Sequence, residues 1–308
     1  NHEESIFALQ SAMNTQSVQN ANWFDDLNYP YNTGSDGPGN CCGFNQPTFT
    51  TVNMFRTKNG LPLLDGSYNS DPVLNDQGLA PDDASYVEDP GNLDPRLDWS
   101  VGRRGIPYLD WGDHTGQDWV RDQSYAGPFS PKKQVYKKSQ EGVITEVGNW
   151  TSGWTANGYR MIRYSDVLLL LAECQIETGD LAGARDNINA VRSRAANEDG
   201  FVKEADGTTN AANYVIGTYD SDFANADAAM DALMMERKLE LGMEGHRFFD
   251  IKRRGEAYTT SEMNRILTYE KPLRASLYGG ATFGSEDYNY PVPQRQIDLS
   301  NGNLTQNR

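Results

Sequence analysis

Residues Arg160 to Ala195 read RMIRYSDVLLLLAECQIETGDLAGARDNINAVRSRA. The pattern predicts two amphipathic helices joined at Gly179-Asp180, because a glycine ends a helix readily and an aspartate starts the next. Leu168, Leu171, Ala172, Ala184, Ile188 and Val191 fall at the spacing of packing positions. Small Ala172 and Ala184 would let the helices approach closely, with the larger residues filling the groove. The longest apolar run, Val167 to Ala172, is expected to be a buried helix face. Such a hairpin cannot bury its apolar side alone, so it must stack on further helices.

This is the spacing of a tetratricopeptide-type hairpin. The rest of the chain differs from it in character. All six tryptophans and eleven of the fourteen prolines precede residue 159. The predicted fold is therefore mostly α: a tetratricopeptide-like helical hairpin scaffold with a large loop-rich, aromatic, few-stranded face. By composition the chain divides into a loop-rich aromatic region, 1–158, and a helical scaffold region, 159–308. Residues 4–10 read as a strand, with Ile6 and Ala8 on one face and Phe7 and Leu9 on the other. Residues 11–50 form a long Asn-, Gly- and Pro-rich loop, with a short helix within 47–57. A third long helix is predicted near 222–242. Pro291 and Pro293 argue against helix in the tail from Tyr288. No second full hairpin repeat is visible.

At 308 residues the chain can bury a sizeable core. Its formal net charge of -16 and pI near 4.6 disfavour nucleic acid and anionic lipid as partners. Aromatic content of 11% argues for a packed rather than disordered chain. No apolar run approaches the 18 residues of a membrane-spanning helix. Three cysteines, two of them adjacent (Cys41 and Cys42), exclude a disulfide scaffold. The opening NHEESIFALQ has no initiator Met, basic leader or apolar leader segment. We expect that the true N-terminus is missing, so the lack of a leader says nothing of the compartment.

Several segments, in this order and spacing, resemble the carboxy-terminal part of the RagB/SusD family. They are ESIFALQ (4–10), CCGFNQP (41–47), NGLPLLD (59–65), LDPRLDW (93–99), RMIRYSDVLLLLAEC (160–174), ERKLELGMEGHRFFDIKR (236–253) and YPVPQRQIDLSNGNLTQN (290–307). The resemblance implies a surface-exposed outer-membrane lipoprotein of a Bacteroidota-type bacterium. Such a protein captures glycan without catalysis and passes it to a SusC-type TonB-dependent transporter. The family's amino-terminal half, with its lipidated cysteine and most of its helices, has no counterpart here. Any membrane association would run through a lipid anchor outside this chain, and any site named here is partial.

A sugar ring offers an apolar C–H face to an aromatic ring and hydroxyls to polar side chains. NANWFDDLNYPYN (20–32) carries that mixture, so Trp23, Tyr29 and Tyr31, with Asp26 and Asn28, are candidate ligand residues. Trp111 and Trp119 flank a Gly- and Asp-rich loop and are the next candidates. The competing reading for each ring is a core plug beneath loops, since tryptophan is mostly buried. LDPRLDW reads as structural, and the resemblance implies that Arg96 pairs a carboxylate. Glu236, Glu240 and Glu244, with Arg237, Arg247 and Asp250, read as an ion-pair network along one helix rather than a hydrolase pair. No metal or cofactor is expected: His2, His114 and His246 are scattered, and the calcium-loop pattern opening at Asp220 fails at Ala224 and Asn225. No phosphate loop or nucleophile elbow occurs. The acidic balance favours a neutral glycan, unless Arg103-Arg104 or Lys132-Lys133 forms a local basic patch. A protein–protein scaffold without glycan binding, and a glycoside hydrolase, are the alternatives.

Overall fold

The computed structural model describes residues 3–15, 20–21, 30–31, 37–39, 42–146 and 154–307. They form two compact units, 1–245 and 246–308. The compositional boundary at 158/159 falls inside the first unit. There β1 (Ser5–Leu9) pairs antiparallel with β8 (Tyr159–Arg163), from Ser5 opposite Arg163 to Leu9 opposite Tyr159. A register irregularity between Ser5 and Ala8 disturbs the predicted alternation, and Ile6, Phe7 and Leu9 are all more than half exposed.

The loop-rich part of the first unit holds only short elements. They are α1 (Phe49–Asn53), the hairpin β2 (Thr57–Lys58) with β3 (Leu61–Pro62), α2 (Leu97–Ser100), β4 (Val101–Gly102) and α3 (Gln123–Ala126). Then come β5 (Ser130–Pro131), which pairs β4, and the pair β6 (Thr145–Glu146) with β7 (Trp154–Thr155). Their core is aromatic: Tyr68, Tyr108, Tyr136, Phe55 and Phe129 are all buried, and Phe49 meets Phe129 edge-on at 5.8 Å.

The predicted hairpin forms as α4 (Tyr164–Thr178) and α5 (Leu181–Ala195), and α6 (Ala226–Leu241) packs on both. Gly179 ends α4 in the left-handed region at φ 87, where its N–H reaches Gln175 O and Ile176 O. Asp180 caps α5 by accepting from Gly183 N at 2.9 Å. Ala172, Ala184, Ile188 and Val191 are buried as expected. The rotation of α4 differs from the prediction: Leu169 and Ile176 are buried with Ala172, whereas Leu168 is only half-buried and Leu171 is 47% exposed. The run Val167 to Ala172 is thus not a uniformly buried face. Four consecutive leucines surround the helix, so periodicity cannot set its rotation. Buried Asp166 sets it, paired with Arg237 of α6 at 2.9 Å.

The second unit contains α7 (Arg247–Arg253), α8 (Glu256–Leu273), α9 (Ala275–Tyr278) and α10 (Gln294–Leu299). The sequence reading missed α8, whose EAYTTSEMNRILTYEKPL mixes β-branched residues, Tyr and a late Pro into the helical period. The tail is not wholly irregular: Pro293 precedes α10, where its fixed φ starts a helix rather than breaking one. No helix among the described residues is long and apolar enough to cross a membrane.

Candidate functional site

The centre of the first unit is a charge network rather than a line of pairs along one helix. Arg96, from the loop before α2, donates to Asp94 at 2.7 Å, Glu236 at 2.5 Å and Glu240 at 3.2 Å. Arg192 of α5, wholly buried, donates to Glu236 at 2.9 Å and to the carbonyls of Gly217 and Gly60, both at 2.7 Å. Arg163, at the end of β8, reaches Glu244 at 2.9 Å, Glu240 at 2.9 Å, Glu4 at 3.0 Å and Ser165 at 2.7 Å. Arg194 pairs Glu4 and Glu240, and Lys133 pairs Glu244. Five carboxylates thus meet five cations. The i,i+4 network expected along one helix is corrected: α6 stops at Leu241, and its glutamates pair across elements. Arg247 and Asp250 belong to the second unit, with Glu262 and Arg253 as partners. Burial opposes ionisation of Glu240, but the charges of Arg96, Arg194, Arg163 and Lys133 outweigh it and hold its carboxyl below the usual range.

A cavity of about 690 Å³ opens over this network. Glu4, Arg96, Lys133, Arg163, Arg194, Glu240 and Glu244 line it, together with Trp99 and Arg160. Trp99 is 45% exposed, and its indole N–H donates to Gly200 O at 2.7 Å. The sequence reading placed Trp99 inside a structural motif. Arg96 beside it is structural as expected, but the indole is not a core plug. On α2, Leu97 and Asp98 turn fully inward and Trp99 turns out.

A second aromatic surface lies at the turn around Gly43. The exposed Arg121 guanidinium stands 5.0 Å from the Phe44 ring centroid and 5.9 Å from that of Tyr31, and it donates to Cys42 O at 2.6 Å. Gly43 has φ +68, and a Cβ there would lie 2.9 Å from Tyr31 Cβ and 3.0 Å from Arg121 Cβ. Only glycine lets these two side chains close over the turn. Phe44 is half exposed and Tyr31 half-buried, so rings here face solvent. Phe44 and Arg121 were not foreseen as site residues, because no spacing rule links positions 31, 44 and 121. Cys42 is buried and disulfide-bonded, while Cys174 is free and exposed.

Of the candidates named from sequence, Trp23, Asp26, Asn28 and Tyr29 lie outside the described residues. Trp111 is half-buried: its indole N–H donates to Tyr136 O at 3.0 Å, and Lys138 Nζ lies 5.7 Å from its ring. Trp119 is corrected as a surface candidate. It is 3% exposed, edge-on to Tyr108 at 5.8 Å and to His114 at 5.3 Å, because Gly116 at φ +88 turns the loop inward. The doublets Arg103-Arg104 and Lys132-Lys133 make no basic patch. Arg103 is buried on Asp98 at 2.7 Å, and Arg104 donates to the carbonyls of Ala80, Pro81 and Asp83. Lys132 is buried against Pro107 O at 2.7 Å, and Lys133 also donates to Glu240 O and Gly242 O.

The fold brings His114 Nε2 within 2.7 Å of Ser130 Oγ, the one Ser–His pair in hydrogen-bond contact among the described residues. It is not a nucleophile and base. Nδ1 accepts from Gly116 N at 3.0 Å, so Nε2 carries the proton and donates to the serine. Both residues are 1% exposed. Burial, with a smaller contribution from Lys132, lowers the His114 pKa to about 3. The unfolded chain therefore binds this proton near pH 6.5 and the folded chain does not, so stability falls as pH drops from 6.5 toward 3. From pH 7 to pH 5 the loss from this group is about 2 kcal/mol. Urea midpoints at the two pH values measure it. His114→Gln should flatten the difference; an unchanged pH slope in that variant would assign the effect elsewhere. Among the described residues no group of three His, Cys, Asp or Glu side chains could hold a metal ion.

The fold and the site define an α-helical hairpin scaffold carrying an aromatic loop face. A SusD family profile matches residues 3–308, and the chain belongs to that family. Solved structures agree in fold. A SusD superfamily protein of Bacteroides vulgatus shares 18% identity over 97% of this chain and 49% of its own, with a TM-score of 0.53. A SusD-like protein of Bacteroides fragilis shares 17% over 100% and 54%, with a TM-score of 0.54. Surface glycan-binding protein A of Bacteroides uniformis shares 17% over 99% and 49%, with a TM-score of 0.50. The chain spans about half the length of these structures. No curated protein sequence matches it.

Proposed function

We propose that this chain takes part in non-catalytic capture of a neutral oligo- or polysaccharide. The setting would be the outer-membrane surface of a Bacteroidota-type bacterium, with hand-over to a SusC-type TonB-dependent transporter. The observation that carries the reading is a SusD-family chain whose turn at Gly43 holds Phe44, Tyr31 and Arg121 together at solvent. Rings fixed in this way offer stacking surface for sugar C–H faces, and Arg121 offers N–H donors for hydroxyls. The similarity to a surface glycan-binding protein points the same way. The buried carboxylates at the centre of the first unit are committed to arginines and lysine, which favours a structural role for them over an acid–nucleophile pair. Docking of a partner protein is supported by the exposed apolar side chains Ile6, Phe7 and Leu9 of β1 and Leu170 and Leu171 of α4.

The test is a panel of neutral glycans titrated against the protein and against Phe44→Ala/Tyr31→Ala. Circular dichroism should show both folded alike. Each lost stacking contact is worth about 0.5–1.5 kcal/mol, so the double variant should bind about tenfold more weakly or worse. Equal binding by the two would move the site away from Gly43. Trp23→Ala/Tyr29→Ala and Trp111→Ala are then the variants to compare. No binding to any neutral glycan would favour the protein-scaffold reading.

A further inference from the structure

We infer that the cavity over the charge network is a second carbohydrate site, one that takes a sugar bearing a carboxylate. The inference rests on the glycan-binding reading and adds a ligand class to it. Three observations meet here. At about 690 Å³ the cavity lies within the range of small-ligand sites, roughly 300–1,000 Å³. Trp99 lines it with a half-exposed indole whose N–H is held by Gly200 O and whose ring centroid lies 5.9 Å from Lys132 Nζ, so the ring is fixed and its solvent-exposed part is offered to a pyranose. Charge supplies the class. The carboxylates lining the cavity are each bridged by at least two cations: Glu4 by Arg163 and Arg194, Glu244 by Arg163 and Lys133, and Glu240 by three arginines. With the deeper pairs included, the network is balanced. Arg160 is additional: exposed, on the cavity wall, and in no ion pair with a described residue.

A guanidinium in no described ion pair, lining the same cavity as a fixed indole, matches a ring with a carboxylate substituent, because the guanidinium fork takes both carboxylate oxygens. A neutral sugar leaves that charge unanswered. This site differs from the face at Gly43, where one Arg121 nitrogen is given to Cys42 O and the guanidinium stands against two rings. The chain's overall charge of -16 opposes anionic ligands at long range, so binding should rest on the local fork and weaken with salt.

Calorimetric titration with a galacturonic acid trimer, set against a neutral galactose trimer, tests this on the whole chain. The variants are Arg160→Ala, which loses no described ion pair, and Trp99→Leu, each checked by circular dichroism. The expected result is binding of the acidic trimer alone, weakened at least tenfold by Arg160→Ala and by Trp99→Leu. Phe44→Ala/Tyr31→Ala should leave it unchanged. The inference is overturned if the folded protein does not bind the acidic trimer, if Arg160→Ala binds it as well as wild type, or if the neutral trimer binds Phe44→Ala/Tyr31→Ala as tightly as the acidic one does. Loss of acidic-trimer binding in Phe44→Ala/Tyr31→Ala would place that ligand at Gly43 and also overturn it. Neutral-glycan binding lost in the loop variant but kept in Arg160→Ala tests the loop reading separately.

Discussion

Replacing Arg163 by methionine should destabilise the protein by about 3–5 kcal/mol, the cost of leaving buried carboxylates without a counter-charge. Among the described residues Arg163 is the cation that joins β8, the β1 segment and the end of α6: it donates to Glu4, Glu240 and Glu244, and to the Glu240 carbonyl at 3.1 Å. Its loss leaves Glu240 to Arg96 and Arg194, and Glu244 to Lys133 alone. Burial of Glu244 favours its neutral form, and Lys133 and Arg163 together now prevent this. The variant should therefore also lose part of its acid sensitivity, since a carboxyl whose pKa rises toward the unfolded value contributes less pH dependence. Urea unfolding followed by tryptophan fluorescence at pH 7 measures the first effect. A loss below about 1 kcal/mol would mean that water or neighbouring cations replace Arg163 fully.

Asp98→Asn should be of similar severity, about 3–5 kcal/mol. Asp98 is fully buried and accepts from Arg103 at 2.7 and 2.9 Å and from Tyr214 Oη at 2.7 Å. Arg103 is itself 2% exposed, so neutralising Asp98 strands a buried guanidinium in the aromatic core. The pair ties the turn after α2 to the connector that follows α5. The diagnostic comparison is Asp98→Leu with Arg103→Leu. Removing both charges from a buried pair is often near neutral, so the double variant should recover most of what the single loses. If the double is as unstable as Asp98→Asn, the hydrogen bond to Tyr214 or the packing, and not the stranded charge, carries the effect.

The residues named in these two predictions show what could be read early. The order of motifs determined the family, and the hairpin spacing determined α4 and α5, because glycine termination, aspartate capping and small packing residues are local signals. The third helix followed from the same period. Chemistry along α6 was legible only in kind. A run of Glu at i,i+4 marks a charged face, but which cations answer it depends on β8, α5 and the loop before α2 arriving together. Separations of 77 residues for Arg163 to Glu240 and 140 for Arg96 to Glu236 leave no trace in spacing.

The rings divide in the same way. Composition alone established an aromatic, loop-rich face, since Trp and Pro concentrate before residue 159. Which ring is core and which meets solvent was decided only in three dimensions. Trp119 and Trp99 look equivalent in sequence, each next to aspartate and near glycine or serine. Gly116 turns Trp119 into the Tyr108–His114 cluster, whereas α2 buries Leu97 and Asp98 and leaves Trp99 on a cavity wall. The rotation of α4 has the same origin. Four adjacent leucines satisfy every phase of a helix, and the buried pair of Asp166 with Arg237 selects among them, because a buried carboxylate must meet its cation while a leucine tolerates partial exposure.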